Sequence, residues 1–344
     1  MLYLRAETVE REQFIGIMRV FVTGGTGFTG SHLVRRLLSR GYNVRVLDVT
    51  PGLFADELQQ QGAEITYGSV TDADLVDRLT KGVRRVFHVA AVFRQINLPK
   101  KTYHDVNAVG TRHVGEAALR HGVESFVYCS TQGVHGDIKS PPGHEDSPIA
   151  PEDYYQVTKY EGEQEIARLV DRGLPACTLR PMAIYGPGDP GRFLYLFKAV
   201  RRGRFLMFGN GSTLYHPLYI DNFVDAFELA SEHPTPGAVY LIGDREYHTL
   251  DDLVRAVGRA LGIDVRITHL PFRPLWLAAA ACEAVCMPLG IEPPLFRRRA
   301  DWFRQNRAFR IDRARRELGY DPKIDLDTGL ARTARWYRQH GYLH

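Results

Sequence analysis

Tyr155 and Lys159, in the run Tyr155-Gln156-Val157-Thr158-Lys159, carry the most specific chemistry in this 344-residue chain. A spacing of four places both side chains on one face of a helix. A phenol with an ordinary pKa of about 10 is a poor base until a neighbouring cation favours its anion. Tyr155 is therefore the candidate acid and base, and Lys159 the group that tunes it. In Ser130-Thr131, at the end of the preceding predicted strand, Thr131 offers a hydroxyl to hold an oxygen while Tyr155 moves its proton. Such a trio works on an alcohol or a ketone, and the carbon then needs a partner that takes or gives hydride.

A site for that partner is written earlier in the chain. Thr23-Gly24-Gly25-Thr26-Gly27-Phe28-Thr29-Gly30 follows an apolar strand and opens a helix. Gly24, Gly27 and Gly30 give one register of a dinucleotide fingerprint, and residues 25 to 30 spell GxGxxG in another. In either register the backbone can approach a pyrophosphate, which rests on the amides at the helix start together with Phe28 and Thr29. Asp48 ends the next strand, where its carboxylate accepts ribose hydroxyls and repels a 2′-phosphate, so NAD is expected in preference to NADP. Arg45 lies an odd number of residues away and should face the other side of that strand. His88-Val89-Ala90-Ala91 ends a fourth strand. Small Ala90 and Ala91 either let the cofactor lie on bare backbone or simply pack well.

The elements that must position these groups alternate. Strands at 19–22, 43–48, 64–67 and 85–89 are separated by helices at 30–40, 55–61 and 72–79. The pattern continues through a helix at 104–121, a strand at 125–129, a helix at 155–171 and a strand at 176–179. This alternation predicts an α/β fold, a Rossmann-type doubly wound parallel sheet with a smaller C-terminal α-rich substrate lobe. After Arg180, Pro181, Gly186, Pro187, Gly188, Pro190 and Gly191 crowd into a loop of the sort that carries binding residues. A strand is expected at 218–220 and a helix at 222–232. The division read from this pattern is an N-terminal extension over 1–17, a NAD-binding domain over 18–180 plus about 214–243, and a substrate lobe over 181–213 plus 244–344.

Composition narrows the class. A formal net charge of +4 suits an anionic small molecule and gives no reason to expect a nucleic-acid partner. Cys129, Cys177, Cys282 and Cys286 lack metal-site spacing and read as reduced thiols, so no metal is expected and the location is expected to be cytoplasmic. The first seventeen residues carry Glu7, Glu10, Arg11 and Glu12 and do not read as a signal peptide. The apolar segment from Leu275 to Ile291 is interrupted by Glu283 and Pro288. A buried or pocket-lining helix is the leading expectation, with peripheral contact to a membrane as the alternative. Arginines 297, 298, 299, 304, 307, 310, 313, 315 and 316 follow it. They form a solvated face with scattered ion pairs, a phosphate grip, or a contact to anionic lipid.

With these residues in hand, the chain resembles the extended short-chain dehydrogenase/reductase family, which includes the NAD-dependent epimerases and dehydratases. The resemblance covers about residues 18 to 335. It rests on Gly24–Gly30, Asp48, Asn107, Ser130-Thr131, Tyr155 with Lys159, Arg180-Pro181 and Tyr185-Gly186-Pro187-Gly188-Asp189. It implies that Thr131 takes the catalytic Ser/Thr place, five residues before Gly136, and that Lys159 also holds the nicotinamide ribose. It further implies that Ser69, Val70, Asn107 and Pro181 join the cofactor site, and that a homodimer forms through the helices 104–121 and 155–171. Gln132-Gly133 stand where sugar-nucleotide dehydratases carry Asp-Glu, which disfavours dehydration. Leu214 falls where an epimerase arginine would hold a nucleotide diphosphate, and Ser69 replaces an aspartate near the adenine. The C-terminal lobe, with Glu292-Pro293-Pro294-Leu295 and Arg315-Arg316-Glu317-Leu318-Gly319-Tyr320, is similar to the 3β-hydroxysteroid dehydrogenase branch.

The expected activity is NAD-dependent interconversion of a secondary alcohol and a ketone on a lipophilic, sterol-like small molecule, with Gln132, His135, Met182, Tyr185 and His216 lining the substrate pocket. A nucleotide-sugar 4-epimerase passing through a transient keto-sugar uses the same trio. A non-catalytic NAD-binding regulatory scaffold is the third reading, and the intact trio argues against it.

Overall fold

The computed structural model describes residues 18–93, 98–289, 291 and 293–343. The expected extension over 1–17, residues 94–97, 290 and 344, and Glu292 lie outside the described residues. Side chains alternate across the strands in a way that demands helices on both faces. On β1 (Arg19–Thr23), Val20 and Val22 enter one core and Phe21 the other. On β5 (Ser125–Cys129), Val127 and Cys129 enter the first core, while Phe126 and Tyr128 enter the second. Period-two alternation with both sets apolar is the mark of a strand buried on both sides.

The chain supplies those helices in turn. After β1 come α1 (Phe28–Ser39), β2 (Asn43–Asp48), α2 (Ala55–Gln60), β3 (Glu64–Tyr67), α3 (Ala73–Thr80) and β4 (Arg85–His88). A long helical stretch follows as α4 (Lys100–His104), a π-turn over Asp105–Val109 and α5 (Gly110–Arg120). Then come β5, α6 (Tyr154–Val170), β6 (Ala176–Pro181), β7 (Ala183–Tyr185), α7 (Arg192–Val200), β8 (Arg204–Phe208), β9 (Leu214–Tyr215) and β10 (Pro217–Tyr219). The remainder is α8 (Ile220–Glu232), β11 (Val239–Ile242), β12 (His248–Thr249), α9 (Leu250–Leu261), β13 (Arg266–Leu270), α10 (Phe272–Cys286), α11 (Arg297–Ala300), α12 (Asp312–Leu318) and α13 (Leu326–Gln339).

Seven strands form one parallel sheet in the order β11-β6-β5-β4-β1-β2-β3. The order reverses between β1 and β4, so a crevice opens at their carboxyl ends. The expected strand at 218–220 forms as β10, one residue earlier, and pairs with β7 outside this sheet. Arg45 faces away from Asp48, as its register requires: it donates to the Leu79 carbonyl and lies 3.6 Å from Glu64. A separate core gathers Phe197, Leu253, Val257, Leu330, Ala334 and Tyr337 from α7, α9 and α13 of the C-terminal part.

Helix α10 corrects the leading expectation for the apolar segment. Ala279 is its one buried side chain among the described residues, and Leu277, Val285, Met287, Leu289 and Ile291 of the segment are exposed. Phe272–Leu289 is long and apolar enough, by length and composition, to cross a membrane. Glu283, a good helix former, sits within the helix and accepts from Arg297 Nε at 2.6 Å and from the Arg297 amide at 2.8 Å.

Candidate active site

A cleft of about 570 Å³ opens at the carboxyl edge of the sheet. Gly24, Gly27, Phe28, Thr29, Gly30, Asp48, Ser69, Val70, Ala90, Ala91 and Pro181 line it together with Thr131, Gln132, Tyr155, Lys159 and Met182. Sixteen residues picked from sequence therefore line one cleft. The Gly24 amide is tied to the Leu47 carbonyl at 2.8 Å, which folds the turn back over β2. A Cβ on Gly30 would fall 2.0 Å from the Gly24 carbonyl oxygen, so that helix start tolerates no side chain. Gly27 caps α1 without any side-chain hydrogen bond, and the first turn holds no acid. The amides and the positive end of the helix dipole are thereby left for an anion. Asp48 holds this turn as well: Oδ2 accepts from the Thr26 amide at 2.9 Å and from Thr26 Oγ1 at 2.7 Å, and Oδ1 accepts from the Val49 amide at 2.8 Å. Each carboxylate oxygen can accept more than one hydrogen bond, so a sugar hydroxyl can still be received.

Helix α6 starts with a capping box, in which Asp153 accepts from the Gln156 amide at 2.9 Å and the Gln156 side chain returns to the Asp153 amide. That cap fixes the register placing Tyr155 and Lys159 on the cleft. The Lys159 side chain is 1% exposed, its Nζ has no hydrogen-bond partner, and the ammonium sits 4.3 Å from the Tyr128 ring centre. Burial pushes its pKa down to about 8, against smaller opposing effects of Cys129 and Glu163. Burial also pushes the Tyr155 phenol well above its ordinary range. Phe93 meets the Tyr155 ring edge-on at 5.0 Å. Thr131 Oγ1 accepts from the Gly133 amide at 3.0 Å, which leaves its own proton to donate. Its neighbour is engaged elsewhere, since Ser130 Oγ donates to Glu163 Oε1 at 2.5 Å.

Four expected site residues lie behind the wall. Asn107 is fully buried in the π-turn, where Oδ1 accepts from the Val92 amide at 2.8 Å and Nδ2 donates to Thr158 at 3.0 Å. It clamps the strand-end loop against α6 and is absent from the cleft lining. His135 belongs to a buried network: its Nδ1 lies 3.0 Å from the Ser147 carbonyl and its Nε2 2.9 Å from Arg180 Nη1. A carbonyl only accepts and a guanidinium only donates, so Nδ1 carries the proton and the ring is neutral. Arg180 also forks onto Glu163, at 2.9 and 2.6 Å, fixing the floor under Ser130. Tyr185 is packed in the C-terminal core, stacked on Phe193 at 4.5 Å. His216 is 2% exposed with Nε2 2.8 Å from the Asp244 carbonyl, and burial lowers its pKa to about 4. Proximity in sequence to cleft residues suggested these four, but it does not say which side of the wall a side chain takes.

The cleft also holds residues that sequence reasoning did not select: Phe93, Ile184, Asp189, Arg192, Phe193, Tyr215 and Arg307. Arg307 was one of nine arginines with nothing local to separate it from the rest. Most of the others pair with nearby acids, among them Arg297 with Glu283, Arg304 with Asp301, Arg310 with Asp312 and Arg313 with Asp146.

The unpaired Lys159 ammonium and the uncapped start of α1 are unmet polar groups on one wall. Ribose hydroxyls and a pyrophosphate are the chemistry that meets them, so the residues present fit a nicotinamide dinucleotide. Residues 20–243 match the model of the NAD dependent epimerase/dehydratase family. The chain belongs to this family. It is an NAD-dependent oxidoreductase, and its relatives agree. It is 32% identical over 328 residues to a 2-alkyl-3-oxoalkanoate reductase of Stenotrophomonas maltophilia, covering 92% of this chain and 98% of that one. It is also 32% identical over 339 residues to a 3β-hydroxysteroid dehydrogenase/Δ5→4-isomerase of Mycobacterium tuberculosis, covering 93% and 90%. Among solved structures, a dTDP-glucose 4,6-dehydratase of Streptomyces venezuelae with NAD bound superposes with a TM-score of 0.74 at 26% identity, covering 94% of this chain and 97% of that one. The family fold thus spans enzymes named for oxoacids, steroids and sugar nucleotides, and the choice among them rests on the far end of the cleft.

Proposed function

We propose that the chain interconverts a secondary alcohol and a ketone on a lipophilic small molecule. The observation that carries this reading is the meeting of Thr131, Tyr155 and Lys159 on the cleft wall, with Lys159 Nζ buried and unpaired. Gly24, Gly27, Phe28, Thr29, Gly30, Asp48, Ser69, Val70, Ala90, Ala91 and Pro181 hold NAD, and Asn107 supports them from behind by fixing Val92. NAD supplies the hydride donor or acceptor. Lys159 holds the nicotinamide ribose, and Thr131 donates to the substrate oxygen. Tyr155 gives its proton to that oxygen as a ketone is reduced, a task suited to a phenol kept neutral by burial. It would take the proton back in oxidation, with the charge of Lys159 and of a bound oxidised nicotinamide opposing the effect of burial. Phe93, Met182, Ile184, Phe193 and Tyr215 make the substrate end apolar, which favours a lipophilic alcohol. Met182, Ile184, Arg192, Phe193 and Arg307 come from the segments 181–213 and 244–344, which act in this reading as the substrate lobe.

Tyr155→Phe tests the reading. Turnover should fall by about 100-fold or more while NAD still binds. Unchanged turnover would sink the assigned role, and a scaffold without catalysis would show no turnover in either protein. The nucleotide-sugar 4-epimerase reading keeps support from Arg307, whose amide donates to the carbonyl of Leu214, the position where an arginine was missing.

We infer in addition a cytoplasmic homodimer, joined through α5 and α6 as the family resemblance implies, that touches membranes peripherally through α10. Support for the last point is the exposure of Leu277, Val285, Met287 and Leu289, with α11 and its Arg297, Arg298 and Arg299 packed against α10. Light scattering of the purified protein reads the dimer. Co-sedimentation with phosphatidylcholine vesicles, with and without phosphatidylglycerol, reads the membrane contact, and no pelleting with either vesicle would refute it.

A further inference from the structure

Arg307 is the one member of the arginine-rich segment, among the described residues, that reaches the cleft. Its place is set by two long-range contacts. Its amide donates to the Leu214 carbonyl at 2.8 Å, and a parallel bridge pairs it with Tyr215, which also lines the cleft. Gln305 holds one end of its guanidinium, accepting from Nη2 at 2.5 Å, and donates in turn to Glu152 at 3.0 Å. Glu152 and Asp153 immediately precede α6, so this guanidinium stands close to the helix turn that carries Tyr155.

The guanidinium is poorly neutralised for so enclosed a position. Its side chain is 11% exposed, and its carboxylate contact, Glu152, is 3.9 Å away, too far for a hydrogen bond. Burial first, then the charge of Arg192, push its pKa below the ordinary arginine range, against the smaller opposing effects of Tyr215, Glu152 and Asp153. Arg192 lies on the same cleft wall at the start of α7. Asp189 also lines this end, but its Oδ1 accepts from the Gly191 amide at 2.8 Å and burial raises its pKa to about 6. The enclosed Arg307 and the exposed Arg192 therefore face a cleft end that Met182, Ile184, Phe193 and Tyr215 line together with the Asp189 carboxylate. Keeping the Arg307 charge enclosed with no carboxylate in hydrogen-bond distance is costly unless an anion joins it, and a guanidinium fork matches an oxyanion in shape as well as charge.

We propose that Arg307 and Arg192 form an oxyanion-binding subsite at the substrate end of the cleft, so that the alcohol or ketone carries a carboxylate or phosphate group. The lipophilic body lies on the aromatic and aliphatic wall while the oxyanion is held near Tyr155. The inference rests on the preceding reading of the cleft as the NAD and substrate site, and it adds the charge of the substrate. Carboxylate and diphosphate present the same chemistry to an arginine fork, and ligands distinguish them.

The experiment is calorimetric titration of the NAD-loaded protein with a long-chain 3-oxo acid, its neutral methyl ester, and UDP, repeated on Arg307→Gln, Arg307→Lys and Arg192→Gln. NAD affinity of each unliganded variant is measured first. If NAD does not bind, the reading of the cleft fails and not the subsite alone. With NAD bound, the acid should bind wild type about 10- to 100-fold more tightly than its ester. Arg307→Gln should remove that difference by weakening the acid alone, and Arg307→Lys should restore part of it. UDP binding that depends on Arg307 would support the subsite and make a diphosphate its natural occupant. Equal affinity for acid, ester and UDP in wild type, or an acid preference that survives Arg307→Gln, would overturn the proposal.

Discussion

Replacing Lys159 with methionine should stabilise the apoprotein at pH 7 while disabling it. The ammonium is buried without a hydrogen-bond partner, and its pKa is lowered from 10.5 to about 8. At about 1.36 kcal/mol per unit, keeping it charged in the folded state costs about 3 kcal/mol. The Tyr128 ring at 4.3 Å offsets about 1 kcal/mol of that. A net gain of about 2 kcal/mol remains, because methionine has similar length and no polar atom to bury. With an unfolding entropy of roughly 2 cal/mol/K per residue, this is a rise of about 3 °C in Tm. The sign has a pH signature. Because the folded pKa is depressed, the wild-type penalty is complete below about pH 8 and disappears as pH rises toward the unfolded value near 10.5. Thermal melts of both proteins at pH 7, 9 and 10.5, without NAD, should show the advantage of Lys159→Met shrinking across the series. NAD should then stabilise wild type more than the variant, since its ribose supplies the partner that Nζ lacks. A variant less stable than wild type at pH 7, or a difference flat from pH 7 to 10.5, would refute the reasoning. It would mean that Tyr128 and the charge of Glu163 fully compensate the burial.

Glu163→Gln should cost about 3 kcal/mol of stability, because Arg180 and Glu163 are 6% and 7% exposed and the change leaves the guanidinium without its charged partner. Denaturant unfolding reads this, and a loss under about 1 kcal/mol would show that His135 and the Glu145 carbonyl suffice to hold Arg180. Asp48→Asn should relax the choice of cofactor, narrowing the NAD over NADP affinity ratio by about 10-fold through removal of one negative charge facing the 2′ position. It should also lower stability by about 1 kcal/mol, since the same carboxylate accepts from Thr26 and Val49. A ratio unchanged in fluorescence titration would assign Asp48 to holding the glycine turn alone.

The sheet and the reactive wall are legible in the chain alone, and the reason is locality. Strand, glycine turn and helix are contiguous from Arg19 to Ser39, so the pyrophosphate seat follows from one short run. Tyr155 and Lys159 share a face through helix geometry alone, and the alternation of strands and helices forces Asp48, Ala90 and Thr131 to the same sheet edge. Tertiary structure decided what depends on distant partners. Asn107, His135, Tyr185 and His216 turned to the inner side of the wall because Thr158, Arg180, Phe193 and Asp244 were there to receive them. The exposure of α10 was equally hidden, since hydropathy reports what a helix prefers to touch and not whether the fold provides it. Arg307 became a cleft residue through a backbone bridge to Tyr215 and the grip of Gln305. Ninety-two positions separate Arg307 from Tyr215, and no local pattern sets it apart from the eight arginines around it. Charge at a site is a sum over whatever the fold gathers there, which is why the reaction is legible in the chain and the substrate end is legible only in the folded protein.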